Sequence, residues 1–356
     1  MKKPAAEKSP ETKTQKLPPV PAFDRKVYKY LHVNAIPPRF QWNSNNGYCG
    51  EVSMISAGLY YGQYLSQFDV RKIVSGKNQQ QQLLLGDNDG YAAAMLRLKY
   101  EKMESSDSKS FMSWVKHHVA AGHPVIIGVL NNVNTLGEGG TGDPEFDHIV
   151  PVMGFASKKP LNEAYDPSDK ILFSDNGLYT GSNAPMCVPD AQVPYYFVQE
   201  LQSFFCNRKQ ANQPDHLYSV LGLPQYLELL SKKSQHFTQN YGIAITGIMG
   251  EEETVPVRVS TSLNYEAPCI GKNSNKRPAS MKIDLTITVS GLKPGKKYKL
   301  FCYPDESLVP VKNFIKNSKK KFLFREIILG SGSVYSTTIK SFSTDKKAFF
   351  RAVMAG

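Results

Sequence analysis

The sequence predicts an α+β protein in which a helical segment and an antiparallel sheet come first and a region of strands follows. Three patterns in the 356 residues predict this order. Apolar residues recur at helical spacing early in the chain, short runs rich in β-branched residues come next, and strand-like runs separated by turns fill the chain after Gly250. Because helices and strands are grouped rather than alternating, the order is typical of α+β folds and not of βαβ units.

Three stretches before residue 122 have the pattern of helices. The first opens at Gly50 and Glu51, just after Cys49, and carries apolar residues at helical spacing among small ones, which indicates a buried helix. Residues 90–100 and 110–121 predict the second and third helices, and Gly122 has the position of a C-terminal cap.

Four short runs predict the antiparallel sheet of the first domain. They are residues 124–130, 146–155, 170–179 and 241–250. Each is short and largely apolar, as buried strands are, and turn residues separate them.

Composition divides the chain into a leader and two domains. Lys, Pro, Ser, Thr and Glu dominate residues 1–22, which therefore predict a disordered leader. We expect residues 23–250 to form one domain and residues 251–356 to form an all-β sandwich. The leader has no apolar h-region and no run of about 18 apolar residues occurs, so we expect neither a Sec signal peptide nor a transmembrane helix. The protein is expected in the cytoplasm, or exported by another route.

The net charge of +12 at pH 7 allows a nucleic-acid or anionic-membrane partner. No signature of RNA or DNA binding accompanies the charge, so we expect a basic surface and no nucleic-acid partner. The five cysteines are odd in number and include no CxxC pair, so they predict neither a disulfide framework nor a zinc site. We expect no metal ion and no cofactor.

Cys49 is the candidate nucleophile because it stands where a polar turn meets the start of a helix. The positive end of a helix stabilises a thiolate, which is the form of cysteine that attacks carbonyl carbons. A base must take the thiol proton, and histidine suits that role at neutral pH. Of the seven histidines, His148 is the one inside a strand-like run of the predicted core, so we predict that it is the base.

A third group should fix the tautomer of the imidazole. Asp175 and Asn176 both stand at the end of the next predicted strand. Because strand residues alternate between faces, only one of the two can point at His148. We predict Asp175, and Asn176 remains the alternative. A third interpretation is that Asp-Asn-Gly is only a turn.

The order Cys, His, Asp, with the cysteine on a helix and the others on strands, resembles the papain-like fold. The closer resemblance is to the family of bacteriocin-processing, C39-like peptidases. Its pieces are Gln41, YCGE at 48–51, AAGHPVIIGV at 120–129, DHIVPVMGF at 147–155 and LFSD at 172–175. The resemblance covers residues 38–180. It implies a thiol-dependent acyl-transfer enzyme, most simply a cysteine peptidase that cleaves peptide or isopeptide amides of a protein or peptide substrate.

The resemblance also implies an oxyanion-hole glutamine about six residues before the cysteine. Gln41 stands eight residues before Cys49, and Asn43 occupies the six-residue position. The hole needs a side-chain donor beside the backbone N–H of the cysteine. We predict Gln41, with Asn43 or Asn45 as alternatives.

Two other functions stay open. The same triad serves transglutaminases and deamidases, and a decayed papain-like domain can instead support a non-catalytic binding protein. In the second domain, VSGLKPGKKYKLFCY at 289–303 resembles the E–F corner of fibronectin type III domains. There a tyrosine, here Tyr298, anchors the corner through its hydroxyl.

Overall fold

The structure, a computed structural model, describes residues 24–42, 47–75, 81–129, 148–166, 168–174, 176, 196–200, 206–208, 216–218, 240–266 and 276–355. Between residues 196 and 218 it describes only the backbone of three strands. The predicted leader, residues 1–22, lies outside the described residues. Within the described part, no helix is long and apolar enough to cross a membrane.

The described residues form helices, strands and short 3₁₀ turns. The helices are α1 (Cys49–Tyr60), α2 (Gln67–Ser75), α3 (Asp89–Met95), α4 (Ser108–Ala120) and α5 (Phe314–Asn317). The strands before residue 250 are β1 (Tyr30–Val33), β2 (Gln63–Tyr64), β3 (Leu98–Ser105), β4 (Val125–Val129), β5 (His148–Ser157), β6 (Lys170–Ser174), β7 (Tyr196–Glu200), β8 (Cys206–Arg208), β9 (His216–Tyr218) and β10 (Asn240–Ile248). The later strands are β11 (Thr254–Val255), β12 (Val257–Thr261), β13 (Lys282–Val289), β14 (Lys297–Tyr303), β15 (Leu323–Ile328), β16 (Tyr335–Ser343) and β17 (Ala348–Met354).

A seven-stranded antiparallel sheet forms the centre of the first part of the chain. Its strand order is β3–β10–β4–β5–β6–β7, and β1 also pairs with β5. All ten residues of β5 are buried, which explains why this strand reads as a continuous apolar run. The predicted combination of helices with a mostly antiparallel sheet is confirmed, and the fold is a mixed, β-rich α+β fold.

Helices α1 and α4 cover opposite faces of this sheet. Ile126 and Ile149 belong to one hydrophobic cluster, together with residues of α1. Their neighbours in sequence, Val125 and Val150, belong to another cluster, together with residues of α4. Because successive strand residues point to opposite faces, the two clusters lie on the two sides of the sheet. The sheet is therefore the middle layer between α1 and α4.

The later part of the chain contains two antiparallel sheets. One has the order β11–β17–β14–β15, and the other has the order β12–β13–β16. Strand β2, which directly follows α1, pairs with β17 and adds a fifth strand to the first of them. Residues 254–354 therefore take part of their sheet from the first part of the chain.

The two parts of the chain also share a hydrophobic core. A single cluster contains Met54 and Ile55 of α1 together with Leu285 and Leu300 of the later sheets. The backbone N–H of Phe350 donates to the carbonyl of Gly62 at 2.7 Å. The boundary predicted at residue 250 stays a prediction, and the packing across it is continuous.

Tyr298 is the second residue of β14, and its side chain reaches back to the corner before this strand, as the sequence predicts. Its side chain is 2% exposed, and its hydroxyl accepts a hydrogen bond from the backbone N–H of Lys293 at 2.9 Å. The predicted anchoring of this corner by the tyrosine hydroxyl is confirmed.

The predicted helix over residues 90–100 is wrong in its second half. Helix α3 ends at Met95, and β3 begins at Leu98. Arg97 lies between them with φ +60°, a backbone conformation that ends a helix. Strand β3 then pairs with β10 along its length, so tertiary pairing overrides the local helical pattern.

Candidate active site

Cys49 is the first residue of α1 and is partly exposed, whereas residues 50–60 of the helix are buried. The preceding residue, Tyr48, has a non-helical backbone and caps the helix without a side-chain hydrogen bond. The first N–H groups of a helix have no acceptor within the helix. The backbone N–H of Cys49 therefore stands beside its own thiol at the positive end of α1.

A buried ion pair holds the backbone on both sides of the cysteine. Arg71 of α2 donates through Nε to the carboxylate of Glu51 and through the guanidinium Nη2 to the carbonyl of Gly47. The guanidinium carbon lies 3.8 Å from the centre of the Tyr48 ring. Burial raises the pKa of the Glu51 carboxyl, and the charge of Arg71 opposes that rise. Both side chains are almost fully buried, so this pair fixes the turn and the first helical turn around Cys49.

Gly50 has no room for a side chain. A Cβ atom built on it would lie 2.2 Å from the carbonyl oxygen of Leu83. The backbone N–H of Leu83 in turn donates to Glu51 Oε1 at 3.0 Å. The segment before α3 thus packs directly on the first turn of α1, which explains the glycine after the cysteine.

His148 is the first residue of β5 and is 3% exposed. It pairs with Val129 of β4, and the strand that it begins packs against α1. The carbonyl oxygen of the next residue, Ile149, lies 3.2 Å from Ser53 Oγ. Ser53 is one helical turn after Cys49, so the beginnings of α1 and β5 are in contact.

Asn176 links the start of α1 to the start of β5. Its Nδ2 lies 3.1 Å from the carbonyl oxygen of Cys49, 3.0 Å from that of Ile149 and 2.9 Å from Ser53 Oγ. The residue is 1% exposed, and its Oδ1 has no hydrogen-bond partner among the described residues. A single side-chain amide therefore links the backbone of the predicted nucleophile to the residue that follows the predicted base.

Gln41 lies beside the same turn although it is eight residues from Cys49. Its Oε1 accepts a hydrogen bond from the backbone N–H of Tyr48 at 3.0 Å. Its backbone N–H donates to the carbonyl of Asn176 at 2.9 Å. The side chain is thus held next to the start of α1, whereas Asn43 and Asn45 lie outside the described residues.

The later part of the chain supports the segment that carries Gln41. The guanidinium of Arg39 donates to Glu266 Oε1 at 2.9 Å, and both side chains are buried. The backbone N–H of Phe40 donates to the carbonyl of Asn264 at 2.9 Å. Burial raises the pKa of Glu266, and the charge of Arg39 opposes that rise.

Gln67 of α2 completes this support. Its Oε1 accepts from the backbone N–H of Trp42, and its Nε2 donates to the carbonyl of Phe40, both at 2.9 Å. Its own backbone N–H donates to Glu266 Oε2 at 2.6 Å. The residues on both sides of Gln41 are therefore fixed by Gln67 and, through Glu266, by the later part of the chain.

The sequence did not indicate most of the residues that hold the backbone around Cys49 and Gln41. Arg71 and Glu266 carry no local pattern that marks them, because their partners lie 20 and 227 residues away in the sequence. The Glu of YCGE, Glu51, was the one visible signal. Asp175, the predicted third member of the triad, lies outside the described residues, so its role stays a prediction.

The other histidines that the structure describes lie in other surroundings. His118 and His123 face each other, with their Nδ1 atoms 3.1 Å apart at the end of α4, and burial lowers the pKa of both. His32 Nε2 lies 2.9 Å from Asn34 Oδ1. These contacts support the reading of the three rings as structural groups.

Cys302 gives a contrast to Cys49 within the same chain. It lies on β14, and burial raises the pKa of its thiol to about 11. Cys187 and Cys269 lie outside the described residues, and only the backbone of Cys206 is described. In the described part of the chain, no group of three or more His, Cys, Asp or Glu side chains is arranged to hold a metal ion.

The chain was compared with protein-family models and with curated proteins. No protein-family model matches the chain, and no curated protein matches it. The chemistry of the site is therefore inferred from its own residues.

Proposed function

We propose that the protein is a thiol-dependent acyl-transfer enzyme, most simply a cysteine peptidase with a papain-like arrangement of its first domain. The observation that carries the proposal is the position of Asn176, whose amide lies within hydrogen-bond distance of the carbonyls of Cys49 and Ile149. It ties a cysteine at a helix start to the strand that begins with His148. Cysteine and histidine in such adjacent positions are the two groups that nucleophilic catalysis by a thiol needs.

In the proposed reaction, His148 takes the thiol proton and the sulfur of Cys49 attacks the carbonyl carbon of an amide. The backbone N–H of Cys49 and the side-chain amide of Gln41 stabilise the oxyanion that forms. His148 then protonates the leaving amine, and water hydrolyses the thioester with His148 as the base. A protein or peptide supplies the amide, and an amine in place of water would make the same site a transglutaminase.

Asp175 is the proposed partner of the imidazole, and Asn176 is the alternative. The buried Oδ1 of Asn176 has no partner among the described residues, so it can accept a hydrogen bond from an imidazole N–H. The Nδ2 of the same residue already has three acceptors in reach. Asn176 is therefore a structural residue in either case.

The later part of the chain is proposed to be a β-sandwich that resembles fibronectin type III domains and supports the active site. Support for this role comes from Glu266 and Asn264, which hold the residues before Gln41. In this proposal the region does no chemistry of its own.

A peptide library provides the test. We expect purified full-length protein to cleave a subset of the peptides, which mass spectrometry identifies from new termini. Cys49→Ala is expected to abolish cleavage and to keep the fold, since alanine is a good helix former. Cys302→Ala, which removes a partly buried thiol on β14, is the matched control and should keep turnover. Cleavage that persists in the Cys49→Ala protein would end the thiol-enzyme proposal.

A further inference from the structure

The positive charge of the chain is concentrated in its later part. Residues 276–355 contain 17 of the 43 Lys and Arg residues but only 5 of the 31 Asp and Glu residues. This stretch therefore carries a formal charge of +12, which equals the net charge of the whole chain. The remaining residues are neutral in sum, so a partner that recognises the basic charge should bind here.

Residues 308–321, which we call the lysine loop, contain helix α5 and are packed against the rest of this region by two aromatic side chains, one within the loop and one directly after it. The rings of Phe314 and Phe322 pack on the ring of Tyr303, with centroids 6.1 and 4.8 Å away. Within the loop, the backbone N–H of Ser318 caps helix α5 by donating to the carbonyl of Phe314 at 2.8 Å. Because residues 314 and 322 are attached to one tyrosine, the chain between them lies on the same side of the molecule.

The lysines of the loop are exposed and have no carboxylate partner among the described residues. The five are Lys312, Lys316, Lys319, Lys320 and Lys321. None of them forms an ion pair with any residue that the structure describes. The loop itself contains no Asp or Glu. Its helix α5 contacts the turn formed by Glu251, Glu252 and Glu253. Glu253 accepts the backbone N–H of Ile315 at 2.6 Å, whereas Glu251 and Glu252 pair with Lys99. The five lysines of the loop therefore outnumber the carboxylates of the neighbouring turn.

Aliphatic side chains project among these lysines. Leu308 and Val311 are 40% exposed, and Ile315 is 54% exposed. Isolated exposed aliphatic residues are ordinary, but these three fall within eight consecutive residues of a lysine-rich segment. The loop therefore exposes both aliphatic side chains and ammonium groups.

We infer that the lysine loop docks the protein on an anionic lipid surface. Aliphatic side chains enter the boundary between headgroups and acyl chains, while lysines pair with anionic headgroups. A nucleic acid would gain nothing from exposed Val and Ile, and it would favour exposed aromatic rings for stacking. Here the rings of Phe314 and Phe322 are used instead to pack on Tyr303. This inference does not depend on the proposed chemistry at Cys49.

Vesicle sedimentation of the full chain tests the inference. The probes are vesicles of phosphatidylcholine alone and vesicles that also contain phosphatidylserine, with a short DNA duplex and a single-stranded RNA as competitors. We expect binding to the phosphatidylserine vesicles only, and weaker binding at high salt. Replacing Lys316, Lys319, Lys320 and Lys321 by Gln should weaken it by at least about a hundredfold, since each lysine contributes roughly fivefold.

Two further variants separate lipid docking from general attraction to charge. A control variant removes the same number of charges from exposed positions outside the loop, and it should weaken binding far less. In this variant, Gln replaces Lys282, Lys293, Lys296 and Lys346. Ile315→Ser changes no charge and should still reduce vesicle binding severalfold. All positions are exposed, and an unchanged melting temperature shows that each variant is folded.

The inference is overturned by any of three results. The first is a wild-type protein that does not sediment with phosphatidylserine vesicles. The second is equal loss of binding in the two quadruple variants. The third is tighter binding to the duplex or RNA than to vesicles, with no effect of Ile315→Ser, which would assign the loop to nucleic acid.

Discussion

At the scale of single residues, Asn176 and Arg71 organise the candidate site. Asn176 reaches the carbonyls of Cys49 and Ile149, and Arg71 reaches Glu51 and the carbonyl of Gly47. Neither has to touch a substrate to matter, because each fixes backbone next to a predicted catalytic group. Buried polar groups of this kind are costly when one partner is lost.

The two candidates for the imidazole partner should respond differently to substitution. Asn176→Ala is expected to lower the free energy of unfolding by about 1–3 kcal/mol, because buried carbonyls lose their donor. Asp175→Ala is expected to keep wild-type stability and to lower kcat by up to about 10⁴-fold, since it orients the ring without taking a proton. Thermal unfolding and kcat, measured on both variants, check this prediction.

A different outcome would identify Asn176 as the imidazole partner. In that case Asn176→Ala would lose kcat as well as stability, and Asp175→Ala would be near wild type in kcat. The site would then be of the Cys–His–Asn kind. If neither variant loses activity, the orienting group lies elsewhere in the chain.

At the scale of elements, local pattern predicts those helices and strands whose pattern agrees with their tertiary partners. Helix α4 and strands β4, β5 and β10 belong to this group. Strand β3 does not, because its sequence continues a helical spacing and only pairing with β10 makes it a strand. The same limit holds at the site, where residue type and position indicated Cys49 and His148. Local pattern did not indicate the partners of Glu51 and Arg39, because these ion pairs join residues that are distant in the sequence.

The C-terminal end of α4 predicts a pH-dependent stability. The Nδ1 atoms of His118 and His123 lie 3.1 Å apart. The two rings can form a hydrogen bond across this distance only while at least one of them is neutral. Burial lowers the pKa of both from 6.5, and the charge of Glu101 opposes this. The folded state therefore binds fewer protons than the unfolded state below about pH 6.5, so stability is retained above that pH and lost on acidification.

Thermal unfolding between pH 5 and 8, a range set by the ordinary histidine pKa of about 6.5, measures this effect. The wild-type melting temperature should fall as the pH drops through that value. The double variant His118→Gln/His123→Gln should flatten this part of the curve. A double variant with the wild-type pH dependence would show that the pair does not titrate with folding.

At the scale of the whole molecule, the later sheets are joined to the candidate site. Strand β2 extends the sheet of β17, and one hydrophobic cluster contains residues from both parts of the chain. Arg39, which forms a buried ion pair with Glu266, lies two residues before Gln41. Stability of the site and of the later sheets should therefore be coupled.

Calorimetry of the full chain checks this coupling. We expect a single unfolding transition, because the shared core leaves no independent boundary. Glu266→Ala should lower the free energy of unfolding by about 3–5 kcal/mol, since it leaves the guanidinium of Arg39 buried without its carboxylate. Glu326→Ala, which removes an exposed carboxylate paired with Lys297, is the control and should have little effect. Two separate transitions, with only the later one shifted by Glu266→Ala, would contradict the prediction.

The central claim is that Cys49 is a nucleophile activated by His148, and the alkylation rate of Cys49 tests it most directly. Iodoacetamide modification at pH 7, followed residue by residue with mass spectrometry, needs no knowledge of the substrate. The expected result is that Cys49 reacts much faster than both Cys302 and free glutathione, since an ordinary thiol is mostly protonated at this pH. His148→Ala should slow Cys49 to the rate of glutathione and leave Cys302 unchanged. A Cys49 that reacts no faster than glutathione, or whose rate does not depend on His148, would contradict the account.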